Sequence, residues 1–74
     1  MKILLWEKRM EKRYSLSQLR DATDISRSTL NNIENEKVSP TLMQLEKIAR
    51  GLEIGIVDLF ESEYKYSQND IRKK

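Results

Sequence analysis

Apolar residues along this chain recur every three to four positions and nowhere alternate with polar ones for long enough to suggest a strand, so the pattern predicts helices throughout. The first helix is expected from about Lys2 to Lys12, with Ile3, Trp6 and Met10 on one stripe and Leu5 beside it, and it should end before Tyr14. Ser15 with Gln18 three residues later has the form of a capping box. It opens a short second helix that turns Leu19 and Ala22 inward and stops near Thr23. Only Asp24 and Ile25 precede the next N-cap candidate, Ser26, which opens a third helix whose apolar pair is Leu30 and Ile33. Residues 36–40 read as a loop. The fourth helix has two possible starts, Thr41 capping in a box with Gln44, or Ser39 capping with Pro40 in the first helical position. Its stripe is Leu42, Leu45, Ile48, Ala49 and Leu52, and Gly51 near its end costs about 1 kcal/mol relative to Ala. Gly55 caps a fifth helix from Ile56 to about Glu61, with Asp58 in its first turn, and from Ser62 onward the chain is polar and expected to fray.

At 74 residues the chain has room for one small domain, expected over residues 1–61 with a tail at 62–74; a chain of this size buries only about 60% of its unfolded surface. A second catalytic or ligand-sensing domain is not expected. The sequence contains neither Cys nor His, which removes disulfides, thiolate chemistry and the commonest metal ligand and general base; no cofactor, metal or small-molecule ligand is expected. The longest apolar run, Ile3 to Trp6, is too short for a signal peptide or a membrane span, and with the missing cysteines it suggests a cytoplasmic protein. The net charge of +2 names no partner, but it is uneven: residues 1–13 carry five basic and two acidic side chains.

Two short helices joined by a turn of three or four residues, set among three others, have the outline of a helix-turn-helix DNA reader, although any compact helical interaction module needs short turns as well. The residues go further than the outline. The run from Leu16 to Glu34, continued by Ser39-Pro40-Thr41-Leu42, by Leu45-Glu46-Lys47-Ile48-Ala49 and by Asp58-Leu59-Phe60, closely resembles the phage-repressor and xenobiotic-response-element type of helix-turn-helix regulator. The resemblance covers about residues 3–61, and its most specific part is residues 25–35. It implies an all-α, five-helix lambda-repressor-like domain that binds double-stranded DNA and regulates transcription without catalysis.

In that resemblance the third helix enters the major groove, which implies base-reading roles for Arg27, Ser28, Asn31 and Asn32. The chemistry agrees: Arg matches the O6/N7 edge of guanine, Asn matches the N6/N7 edge of adenine, and Ser is a less selective reader. Phosphate contacts belong at helix starts, here Ser15, Leu16 and Ser17 for the second helix and Ser26 for the third, with Lys37 and Ser39 in the following loop. Lys37 reads equally well as a solvated loop charge. Glu34 matches a framework carboxylate that pairs with an Arg on the first helix, and the matching residue here is Arg9. The chain departs from the family where Gly is common, at Arg13, Asp24 and Glu36, where Ala is common, at Arg20, where Gln is frequent, at Leu16, and where an apolar residue is usual, at Lys8.

One such helix reads only about three to five base pairs, so a two-fold homodimer is expected, with partner helices about 34 Å apart. Val57, Phe60, Tyr64 and Tyr66 are the candidate contact, unless Phe60 completes the core and the tyrosines lie on the tail. Two other readings share the scaffold: a DNA-binding antitoxin of a toxin–antitoxin pair, and a protein-interaction module that has lost DNA binding.

Overall fold

The computed structural model describes residues 1–66, so part of the tail expected from Ser62 onward lies outside the described residues. The elements in chain order are β1 (Lys2–Ile3), α1 (Leu5–Glu11), α2 (Leu16–Thr23), α3 (Arg27–Glu34), α4 (Leu42–Leu52), a single 3-10 turn (Ile56–Leu59) and β2 (Phe60–Glu61). Four α-helices and one 3-10 turn therefore replace the five helices expected, within a mostly helical fold.

The two strands are the feature that the hydrophobic pattern did not announce. β1 and β2 pair antiparallel, Lys2 opposite Glu61 and Ile3 opposite Phe60, and the Leu4 N–H donates to the Leu59 carbonyl at 2.8 Å just inside the ladder. Two residues are too few to show a period, and the partners lie at opposite ends of the described chain. Only the closing of the bundle brings them together. Pairing at Lys2–Ile3 also delays α1 to Leu5 and rotates its inward face. Leu5 is buried, Lys8 and Arg9 are half-buried on the same side, and Trp6 and Met10, expected on the core stripe, are exposed.

Helix starts follow the capping residues. Ser15 and Gln18 form the reciprocal capping box of α2, and Thr41 and Gln44 form that of α4, which places the start of the fourth helix at Leu42 rather than at Pro40. Ser26 Oγ accepts the Thr29 N–H at 3.2 Å at the head of α3. The inward pair on α2 is Leu19 with Thr23, while Ala22, expected inward, is exposed. On α4 the buried stripe is Leu45, Ile48, Ala49 and Leu52; Leu42 belongs to the first turn and is 76% exposed.

Helix ends are less usual. Arg13, Asp24, Glu36 and Glu53 all have φ near +60°, where glycine is the default residue. At Arg13, Glu36 and Glu53 two bonds close each helix, with the next residue's N–H reaching back five positions (Tyr14 to Arg9, Lys37 to Asn32, Ile54 to Ala49), the Schellman arrangement. Three of these positions are those where the resembling family carries Gly. The core formed by these elements is one cluster, with Leu19, Leu30, Ile33, Ile48 and Leu59 fully buried at its centre.

The fifth helix is cut short for a tertiary reason. Asp58 Oδ2 accepts the Gly55 N–H and starts a turn at Ile56, but Leu59 is anchored in the core and the chain must then run extended beside β1.

Candidate nucleic-acid interface

The unit formed by α2, its turn and α3 is held by a buried hydroxyl. Thr23 Oγ1 donates to the Leu19 carbonyl at 2.7 Å and accepts the Ile25 N–H at 3.2 Å, while Asp24, in the left-handed region, closes α2 through its own N–H to the Arg20 carbonyl. A threonine in the last turn of a helix gives no local sign of this role. It becomes visible only when the next helix turns back over it.

Leu30 and Ile33 seat α3 on the core and leave its other face to solvent. Arg27, Ser28 and Asn31 are exposed on that face, and Asn32 is half-buried beside them. Arg27 has no ion-pair partner among the described residues, so its guanidinium is available to an external acceptor. Asn31 is not free: its Oδ1 accepts from Asn35 Nδ2 at 3.2 Å. The carbonyl of Asn32 is taken by the Lys37 N–H at 2.8 Å, which fixes the start of the loop that carries Lys37 and Ser39, both exposed.

The candidate phosphate contacts divide by what is already used. Ser15 Oγ accepts the Gln18 N–H, and its own N–H donates to Gln18 Oε1. Ser26 Oγ likewise accepts from Thr29 N and donates to Thr29 Oγ1. Both hydroxyls are committed to capping. At α2 the Leu19 N–H is satisfied by the Ser15 carbonyl, leaving the amides of Leu16 and Ser17 as the donors that point out of the helix end. Leu16 itself packs against the core.

Glu34, the one acid on α3, faces inward to Arg9. Arg9 Nε donates to Glu34 Oε2 at 2.8 Å and its NH2 to Oε1 at 2.9 Å, while NH1 donates to the Tyr14 carbonyl at 2.9 Å. The two side chains are 12% and 7% exposed. The hydrogen bonds to Glu34 raise the Arg9 pKa, with burial opposing and the carboxylate's charge adding to them. Because the folded-state value is raised, the resulting stability is present below the unfolded-state pKa of arginine, which covers the whole neutral range.

A second tie to α3 was not legible in the sequence. Glu36 sits just past the helix with φ of 57°, and its Oε1 accepts the outward N–H of Ile3 at 2.7 Å, sealing the outer edge of β1. Nothing near Glu36 in the chain points to a residue 33 positions earlier.

The four candidate dimer residues lie at the other end of the chain. Val57, Tyr64 and Tyr66 are exposed, and Phe60 is half-buried on β2 with the Lys65 ammonium 5.3 Å from its ring centroid. Lys65 also reaches Glu61 at 3.3 Å. Among the described residues no group of three or more potential ligands could hold a metal ion, and no helix is long and apolar enough to cross a membrane.

Comparison with known proteins addresses the same segment. A family model described as helix-turn-helix matches residues 7–59. The chain is 44% identical over 46 residues to the HTH-type transcriptional regulator SutR of Escherichia coli strain K12, a match that covers 62% of this chain and 26% of SutR. It thus spans about a quarter of the length of that relative. With the α2–turn–α3 unit packed on the core, the exposed face of α3 and a family match over most of its length, the chain belongs to the helix-turn-helix family, in its xenobiotic-response-element type.

Proposed function

We propose that this protein is a sequence-specific, double-stranded DNA-binding transcriptional regulator that reads the major groove with α3 and acts without catalysis or a cofactor. The observation that carries the reading is the outer face of α3, where Arg27, Ser28, Asn31 and Asn32 supply hydrogen-bonding groups while Glu34, the acid on that helix, is turned away and neutralised by Arg9. A helix that presents no uncompensated carboxylate can approach phosphate, and Arg and Asn side chains match base edges with about 1–3 kcal/mol of discrimination per good pair. The amides of Leu16 and Ser17 at the α2 start capped by Ser15, the amide of Ser26 at the start of α3, and Lys37 with Ser39 serve the DNA backbone on either side. The DNA-binding unit is residues 1–61, and the cytoplasm is its place of action.

A two-fold homodimer through Val57, Phe60, Tyr64 and Tyr66 brings a second α3 to the next half-site, about one turn of DNA away. SutR is named a transcriptional regulator, and it supports the same class for this chain through the segment the two share.

The test is selection of bound sequences from a random duplex pool, followed by titration of selected and scrambled duplexes at several salt concentrations. An enriched motif, tighter binding to it, and a fall in affinity with salt are expected. Arg27→Ala and Asn32→Ala should each relax one position of the motif, while Lys37→Ala should weaken all sequences alike and lower the salt slope by about one. Sedimentation of the complex, repeated with Val57→Glu, reads the dimer. Equal affinity for both duplexes would leave the scaffold as a protein-interaction module, and a strictly one-to-one complex would remove the dimer.

A further inference from the structure

The hydrogen bond between Asn35 and Asn31 bears on which bases the protein selects. Asn35 follows the last residue of α3 and is locked there by its backbone: its N–H donates to the Asn31 carbonyl at 3.0 Å, and the next two residues close the helix through Glu36 N–H to Ile33 and Lys37 N–H to Asn32. From this fixed position its side-chain Nδ2 donates to Asn31 Oδ1 at 3.2 Å, one helical turn back. A primary amide is planar, with a carbonyl oxygen on one side and an NH2 on the other. When Asn35 holds the oxygen toward the C-terminal end of α3, the NH2 of Asn31 is the part left to the exposed face.

We propose that Asn35 is a positioning residue for base selection, which turns Asn31 into a hydrogen-bond donor toward DNA. The proposal rests on the DNA-reading role of α3 and adds to it the polarity of one contact. An unrestrained Asn offers both a donor and an acceptor and suits the adenine N6/N7 edge. A donor-only amide loses the paired match to adenine, where only N7 can accept beside the N6 donor, favours guanine, which accepts through N7 and O6, and thymine, which accepts through O4, and disfavours cytosine, which presents the N4 donor. Asn31 and Asn35 therefore act as one unit in which Asn31 reads the base and Asn35 sets its polarity.

The experiment is selection from a random duplex pool with the full chain, in parallel for the wild type, Asn31→Ala, Asn31→Asp, Asn35→Ala and Asn35→Asp, with a thermal melt to establish that each is folded. The motif position whose preference vanishes in Asn31→Ala is the base that Asn31 reads. There the wild type is expected to favour guanine or thymine over cytosine by about tenfold, the ratio that corresponds to one good contact. Asn35→Asp replaces the donor by a carboxylate that accepts from the Asn31 NH2, so the amide turns over and the preference should move toward cytosine or adenine. Asn31→Asp should produce the same reversal without touching residue 35, and Asn35→Ala, which frees both ends of the Asn31 amide, should bring the ratio of guanine or thymine to cytosine within about twofold and raise adenine. Each preference is a ratio within one selection, so a uniform loss of affinity from the added charge cancels. A preference at that position unchanged in both Asn35 variants, or no position altered by Asn31→Ala, would overturn the proposal while the remaining motif still supported DNA reading. The lack of any motif in the wild type would overturn both.

Discussion

Gly51 offers a direct contest between helix propensity and packing. In an isolated helix, Gly51→Ala would gain about 1 kcal/mol. In the folded chain a Cβ at that position would lie 2.9 Å from Thr23 Cγ2, 3.3 Å from Ala22 Cβ and 3.6 Å from Leu19 Cδ1, because α4 crosses α2 there at close range. Thr23 is 5% exposed and both bonds of its hydroxyl are made, one to the Leu19 carbonyl and one from the Ile25 N–H. Rotating its χ1 to move the methyl would break both. Overpacking of this kind costs about 1–3 kcal/mol, so after the propensity gain the expected net effect is a loss of about 1 kcal/mol, or roughly 4–8 °C in Tm for a domain of this size. Thr23→Ser deletes the obstructing methyl and keeps the hydroxyl. In that background Gly51→Ala should become neutral or stabilising, giving a coupling of about 1–2 kcal/mol in the cycle. Urea unfolding followed by circular dichroism for the four proteins measures it. A stabilising Gly51→Ala in the wild-type chain, or the same change in both backgrounds, would refute the packing argument.

Glu34→Ala should destabilise the chain by about 3 kcal/mol, since it leaves the largely buried Arg9 guanidinium with only the Tyr14 carbonyl; urea unfolding reads this, and a loss below about 1 kcal/mol would mean that water replaces the pair readily. The left-handed positions should separate by what their side chains do: Arg13→Gly relieves backbone strain and should raise stability by about 0.5–1 kcal/mol, whereas Glu36→Gly gives similar relief but removes the acceptor of the Ile3 N–H and should come out near zero. Equal gains at both sites would show that the Glu36 contact contributes nothing.

How much of this protein could be read from its sequence depends on the range of the interaction concerned. The starts of α2 and α3 at Ser15 and Ser26, and Thr41 as one of two candidate starts for α4, were legible because a cap and its amide lie three residues apart, and the buried Leu30–Ile33 pair because one helical turn decides which residues share a face. The residues of the exposed α3 face were legible for the same reason. Contacts between distant parts of the chain were not. The β1–β2 ribbon joins residues near positions 2 and 61, and together with the burial of Leu5 and Leu59 it sets the start of α1 at Leu5, leaves Trp6 and Met10 to solvent, and stops the fifth helix after one 3-10 turn. Thr23, Glu36 and Gly51 carry no local mark of their roles either, since a hydroxyl under a turn, a carboxylate on a strand edge and a missing Cβ at a helix crossing acquire meaning only from the element packed against them. The sequence by itself determined α2, α3 and α4, the residues that cap them and the face that α3 turns to solvent, through interactions that span a few residues. The tertiary structure decided the rotation of α1 and the end of the 3-10 turn, because each is set by a partner that comes within reach only once the bundle has closed.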